Sequence, residues 1–252
     1  MKNIDQIASY LNQLLKIHEF KDSSLNGLQV SQGKYPVNKI AVSVDSGLSV
    51  IENAISQKAN LLIVHHGLFW GQEQPITDVL AEKIKILLLN ECSLYASHLP
   101  LDAHLKFGNA SQLALALGLK QIKPAFKYHA NTIGVIAKNS KLTINQLIKK
   151  SQSWPGNIEP LYLNFGTNKL NKIGIVTGSG SSMLHEAKKL KIDLLISGEP
   201  KHESYHLAKE LKLNALFLGH YCTETFGVRA IASHLNKKFN IKTSFIDEPS
   251  GI

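Results

Sequence analysis

The sequence predicts an α/β fold: an internally duplicated, two-domain chain with mostly parallel strands. Three observations carry that prediction. Short apolar runs rich in β-branched residues alternate with stretches of helical period, the pattern of parallel crossover units. The first half of the chain recurs in the second at a fixed offset. At 252 residues the chain can bury a sizeable core, as one large domain or two smaller ones.

Taken in order, Asn3 with Gln6 forms a helix-start box, and Ile4, Ile7, Leu11, Leu14 and Leu15 then recur at helical spacing. Asn26-Gly27 is a turn signal inside Ser24–Val30, followed by a loop around Gly33 and Pro36. Lys39–Val44 reads as a strand, Ser49–Lys58 as a helix, and Asn60–Val64 as a buried strand that ends in His65-His66-Gly67. Leu80–Asn90 is helical, Ser93–Ser97 a strand, and Asn109–Leu117 a helix stopped by Gly118. The middle is less regular: Thr132–Ala137 and Leu161–Phe165 read as strands, with a helix at about Thr143–Ser151 between them and a turn at Trp154-Pro155-Gly156. The early pattern then returns as strand Lys172–Thr177, helix Ser182–Leu190, strand Asp193–Ser197, helix Tyr205–Leu211, strand Ala215–Leu218 and a last long helix Phe226–Lys237.

The repeat is explicit in the residues. Lys39-Ile40 matches Lys172-Ile173, Ser46-Gly47 matches Ser179-Gly180, Ala54 matches Ala187, and Leu61-Leu62-Ile63 matches Leu194-Leu195-Ile196, all at an offset of 133 without a gap. A second register, offset 122, sets Leu94–His98 on Leu216–His220 and Asp102 on Glu224. The expected domains are therefore residues 1–123 and 124–252, with the C-terminal helix free to pack on the first half. Pseudo-twofold symmetry would bring His98-x-x-x-Asp102 and His220-x-x-x-Glu224 to one crevice, a metal site between the halves. His65 and His66 belong to the first half alone, because Gly198 and Glu199 stand at the matching positions.

Composition narrows the function. A net charge of +9 raises nucleic acid as a partner. Against sequence-specific DNA reading, Arg229 is the only arginine, and bidentate recognition of guanine leans on arginine. Lys149-Lys150, Lys188-Lys189 and Lys237-Lys238 fit solvated helix faces. Two cysteines, Cys92 and Cys222, build no disulfide framework. No apolar run approaches the roughly 18 residues of a membrane helix, and the opening twenty residues lack a signal-peptide pattern, so a cytoplasmic protein without a membrane partner is expected.

In open α/β sheets ligands bind at the carboxyl ends of parallel strands, and the residues suited to metal chemistry fall there. His65, His66, Asp102, His220 and Glu224 offer three imidazoles and two carboxylates. That donor set suits zinc, iron or manganese, and five ligands suit two ions that render a water nucleophilic at neutral pH. Taken alone, each residue also has a purely structural reading. His98 is expected to orient a ligand or contact substrate. Glu199 and His202 have the chemistry of a general acid and base, although Glu199 also suits the first turn of a helix as a dipole-favoured charge. Asp45-Ser46-Gly47 is a cap or turn, or lines the pocket. Arg229 would hold a phosphate or pair with a surface acid. Cys222 would be a thiolate ligand or core.

Together, Asn26-Gly27-Leu28-Gln29-Val30, His65-His66-Gly67-Leu68-Phe69-Trp70, His98-Leu99-Pro100-Leu101-Asp102, Ser197-Gly198-Glu199 with His202, and Gly219-His220 with Glu224 resemble the YbgI/NIF-three-like dinuclear metal-centre family, also known as GTP cyclohydrolase I type 2-like. The motifs occur in order over the whole chain. The resemblance implies a homohexameric toroid of two-domain α/β subunits with metal sites facing a cavity. It implies two divalent ions per subunit (Zn, Fe or Mn), held by His65, His66, Asp102, His220 and Glu224, with Glu224 bridging. It also implies a hydrolase acting on a purine nucleotide such as GTP. Two alternatives stand beside it: a non-catalytic metal-binding or regulatory hexamer, and a nucleic-acid-binding ring.

Overall fold

The computed structural model describes residues 2–251; Met1 and Ile252, the outer ends of the two expected domains, lie outside the described residues. The Asn3–Gln6 capping box forms as expected and starts α1 (Ile4–Leu15), whose Ile4, Ile7, Leu11 and Leu15 are buried. Next come β1 (Gly27–Val30), β2 (Lys39–Asp45), α2 (Leu48–Ser56), β3 (Leu61–His66), α3 (Asp78–Leu89), β4 (Ser93–Ala96) and the short α4 (Leu99–Asp102). Then follow α5 (Asn109–Leu117), β5 (Lys120–Tyr128), β6 (Asn131–Lys138), α6 (Ile144–Ser151), β7 (Leu161–Leu163), β8 (Lys172–Val176), α7 (Leu184–Lys189), β9 (Leu194–Ser197), α8 (Ser204–Leu211) and β10 (Asn214–Phe217). The chain ends with α9 (His220–Phe239) and β11 (Lys242–Phe245).

These elements form two compact units. The chain up to Leu101, with Val228–Glu248, is unit 1; Asp102–Gly227, with Pro249 onward, is unit 2. The division falls at Asp102, not after residue 123. The reason is α5, whose Ala110, Leu113, Ala114 and Leu117 are buried in one core with Val135, Ile173, Ile175 and Leu194 of the second sheet.

Unit 1 holds a five-stranded sheet of order β1-β4-β3-β2-β11. Only β1 is antiparallel to its neighbour. Val50, Ile51 and Ala54 of α2 and Leu87 of α3 pack with Ala41, Leu62, Val64, Leu94 and Ala96 on one face. Unit 2 holds a six-stranded sheet of order β5-β6-β8-β9-β10-β7, parallel through β8-β9-β10 and antiparallel outside them. The fold is thus mixed α/β, with parallel centres and antiparallel margins.

The repeat holds at the level of hydrogen-bond register. Ile40 pairs with Leu61 in unit 1, and Ile173 with Leu194 in unit 2, both shifted by the predicted 133 residues. The second register is corrected by one. Val64 pairs with Ala96 and Ser197 with Phe217, so the strands correspond at 121 residues rather than 122. Gly219, at φ +97°, is the inserted residue that lets His220 follow its strand one position later than His98 follows β4. Such a backbone angle favours glycine, which has no Cβ to clash.

Candidate metal centre

In unit 1, β3 runs through both histidines instead of stopping at Val64. Strand alternation alone would send neighbouring side chains to opposite faces. At the strand's last two positions the rings instead lie 4.7 Å apart between centroids. His98, just past β4, sits 5.1 Å from His65 and 5.7 Å from His66. One ring nitrogen from each of the three lies within 4.8 Å of the other two.

Each of these imidazoles is fixed through Nδ1. His65, fully buried, meets the Ser97 carbonyl oxygen at 2.9 Å. His66 meets Asp45 Oδ1 at 2.7 Å and His98 meets Asp22 Oδ1 at 2.9 Å. A carbonyl or carboxylate can only accept, so Nδ1 carries the proton in the neutral ring and the lone pair resides on Nε2. The Asp45-Ser46-Gly47 turn thereby contributes an oxygen that orients His66.

Sequence reasoning missed Asp22, whose side chain is only 2 % exposed. It accepts from the Ser24 and Leu99 amides, Asn26 Nδ2 and the His98 ring. Burial alone would raise its pKa, but the bond and charge from His98, with the bonds from Asn26 and Ser24, outweigh burial and hold it at about 2. Asn26 also accepts the His98 amide through Oδ1 at 2.7 Å. Gln29 accepts the Leu68 amide at 2.7 Å and leaves no space for a side chain at Gly67, where a Cβ would also stand 2.6 Å from Ala96 Cβ. The Asn-Gly-Leu-Gln segment therefore anchors the two histidine loops. Its signal was an Asx residue and a glutamine beside a glycine turn, which has no meaning until the partners are known.

In unit 2, His220 opens α9 and Glu224 lies one turn later, which sets their side chains on one face. His220 Nε2 is 3.1 Å from Glu224 Oε2, and its Nδ1 is 3.1 Å from Glu199 Oε1. Burial pushes the imidazole pKa down, yet the two carboxylates more than reverse this and raise it to about 9. Glu199 itself is pulled below the usual carboxylate range: burial opposes the shift, and hydrogen bonds from Ser179 and His220 with the His220 charge overcome it. Glu224 is 4 % exposed, and Gly178 at φ +57° leaves room for its carboxylate, which a Cβ at that position would strike. Asp102 is also buried and accepts from Asn109 Nδ2 at 2.8 Å and Thr177 Oγ1 at 3.3 Å.

Other expected site residues lie elsewhere. His202 is exposed in the turn before α8. Arg229 is exposed, its guanidinium carbon 5.6 Å from the centroid of the Phe245 ring, in unit 1. Cys222 is fully buried on α9.

Buried and half-buried imidazoles and carboxylates at the carboxyl ends of parallel strands define a class, α/β proteins with residues that could hold a divalent cation. Within that class, the chain belongs to the Duf34/NIF3 (NGG1p interacting factor 3) family, whose model matches residues 2–250. It is 41 % identical over 250 residues to the Pyrococcus horikoshii protein named GTP cyclohydrolase 1 type 2 homolog, covering 98 % of this chain and 99 % of that one. A crystal structure from Thermus thermophilus superposes with a TM-score of 0.90 at 37 % identity, covering 99 % of this chain and all of that one. The solved structure of protein YbgI, a protein described as of unknown function, gives a TM-score of 0.90 at 31 % identity with full coverage of both chains. No helix among the described residues is long and apolar enough to cross a membrane.

Proposed function

We propose that this chain is a dinuclear metal-dependent hydrolase acting on a purine nucleotide, with His65, His66, Asp102, His220 and Glu224 as the ligands of two divalent ions. The observation that carries the reading is the orientation of the His65 and His66 imidazoles, each held by an oxygen at Nδ1. Metal-binding histidines are characteristically held this way. The nitrogen and oxygen donor set fits zinc, iron or manganese, and the space at Gly178 for the Glu224 carboxylate fits a ligand held in place. When bound, such ions supply Lewis acidity and a nucleophile derived from water at neutral pH.

The chain's own residues complete the chemistry. Glu199, a carboxylate at neutral pH and tied to Ser179 and His220, accepts a proton from the attacking water and returns it to the leaving group. That role falls to Glu199 rather than His202, which faces solvent. The nucleotide substrate rests on the names borne by the relatives, such as the Pyrococcus horikoshii protein. A homohexamer is the expected assembly, testable by light scattering.

The deciding experiment is a nucleotide panel on metal-replete protein with elemental analysis alongside. Metal-dependent turnover that disappears in Glu224→Ala is expected. Stoichiometric metal with no turnover across the panel would leave a metal-binding, non-catalytic protein.

A further inference from the structure

The positive charge of the chain is not shared between its two units. Unit 2, from Asp102 to Gly227, holds 16 lysines and 8 acidic side chains, so it carries +8 of the net +9. Many of these lysines crowd one end of its sheet, the amino ends of the parallel strands β8, β9 and β10. Lys120, the first residue of β5, pairs with Lys138, the last of β6, and Lys138 pairs in turn with Lys172, the first of β8. Residues directly opposite one another share a face of the sheet, and like charges placed so destabilise it. Lys188 and Lys189 fill the last turn of α7 before β9, and Lys209 and Lys212 close α8 before β10. All but the half-buried Lys172 are exposed. Among the described residues none of these lysines forms an ion pair.

The duplicated frame supplies an internal comparison. Lys39 Nζ donates to the Gln57 carbonyl at 3.0 Å in unit 1 as Lys172 Nζ donates to the Leu190 carbonyl at 2.6 Å in unit 2, so this lysine serves the frame itself. The others do not. At the ladder offsets of 133 and 121 residues, Lys188, Lys189, Lys209 and Lys212 stand where unit 1 has Ile55, Ser56, Leu88 and Glu91. The same architecture therefore forms without those four charges. Helix dipoles favour cations in a last turn, which suits Lys188, Lys189 and Lys209. They give no account of Lys120 opposite Lys138, which costs stability.

Residue choice selects the partner. A lysine is a compact point charge that suits phosphate, and bidentate reading of bases leans on arginine, which unit 2 lacks. Adsorption to a lipid surface calls for a row of apolar side chains beside the cations. On α7, α8 and the loops that follow them, Tyr205 is the one exposed large apolar side chain among the described residues. From β5 to β10 the lysine face crosses about 19 Å of sheet, the rise of roughly five or six base pairs.

We infer that this face of unit 2, centred on Lys138, Lys188, Lys209 and Lys212, binds the phosphate backbone of double-stranded nucleic acid without reading its sequence. The inference is independent of the metal reading.

The test is fluorescence anisotropy of a short labelled DNA duplex of arbitrary sequence, titrated with the full chain in chelator over a range of salt. Contact with about five phosphates gives a slope of about −4.5 in log affinity against log salt, so a fourfold rise in salt should weaken wild type roughly 500-fold. A chain combining Lys138→Gln, Lys188→Gln, Lys209→Gln and Lys212→Gln should flatten the slope by about 0.9 for each lysine in contact. A control with the same loss of charge at exposed positions of unit 1, Lys34→Gln, Lys85→Gln, Lys237→Gln and Lys242→Gln, should keep the wild-type slope.

Equal losses in the two folded variants would show that affinity follows net charge and would overturn the inference, as would wild type that binds no duplex at low salt. If the combined face variant misfolds by circular dichroism, Lys138→Gln and Lys212→Gln are made singly, and unchanged slopes in both overturn it equally. Binding to phosphatidylserine vesicles that the duplex does not displace would assign the face to lipid and sink the proposal.

Discussion

Asp22 and Gly178 show how single residues set the conditions for chemistry they do not perform. The Asp22 carboxyl titrates at about 2 in the fold against 3.8 when unperturbed. A depressed carboxylate pKa stabilises the fold above the unfolded value and loses that contribution as pH falls through the folded one. On metal-free protein, about 2 kcal/mol of stability is expected to vanish between about pH 4 and pH 2. Urea midpoints for wild type should fall across that window, and Asp22→Asn should be less stable at pH 7 with a flatter acid limb. Parallel acid limbs would remove Asp22 from the account. At Gly178, alanine would bring a strained positive φ and a methyl against the Glu224 carboxylate. Gly178→Ala should cost at least about 1 kcal/mol and lower bound metal. Unchanged melting together with unchanged metal content would contradict this.

At the scale of elements, the strands that the sequence concealed are all edge strands. β1, β5 and β11 close the margins of their sheets. β5 carries Pro124 and exposed lysine and glutamine positions, which an edge tolerates and a centre does not. Central strands, buried on both faces, announce themselves as continuous apolar runs. The α9 start was also hidden. Its first turns, His220–Thr225, are poor in helix formers, and the Thr223 and Thr225 hydroxyls donate to carbonyls three residues back. The Asn3 cap was legible because a capping box is local chemistry, and Asn3→Ala should lower unit 1 stability by about 1 kcal/mol, read from urea midpoints. The one-residue insertion at Gly219 was not legible, because motif similarity aligns side chains while the ladder aligns backbones. Deleting Gly219 should turn His220 and Glu224 away from Glu199 and reduce the metal held; full metal content in a folded deletion would show that the insertion is incidental.

For the molecule as a whole, metal and stability should be linked. An ion that binds the native chain and not the unfolded one adds about 2.7 kcal/mol at one hundred times its Kd. For a chain of this size that corresponds to a rise in Tm of roughly 5–10 °C. Melting curves with and without chelator should therefore separate, and the separation should shrink in His66→Ala. Coincident curves for wild type would argue against any tightly held ion.

The sequence by itself determined the α/β class, the duplicated frame and the imidazoles and carboxylates proposed as donors, because apolar period, caps and residue chemistry are written locally. Tertiary structure alone decided which residues orient those donors: Asp22, Asn26 and Gln29 lie some 40 to 75 positions from the groups they hold. It also decided the true register of β10 against β9 and the unit to which α5 belongs. Each of these depends on a hydrogen bond or a packed surface between distant segments, and no local pattern records a partner that far along the chain.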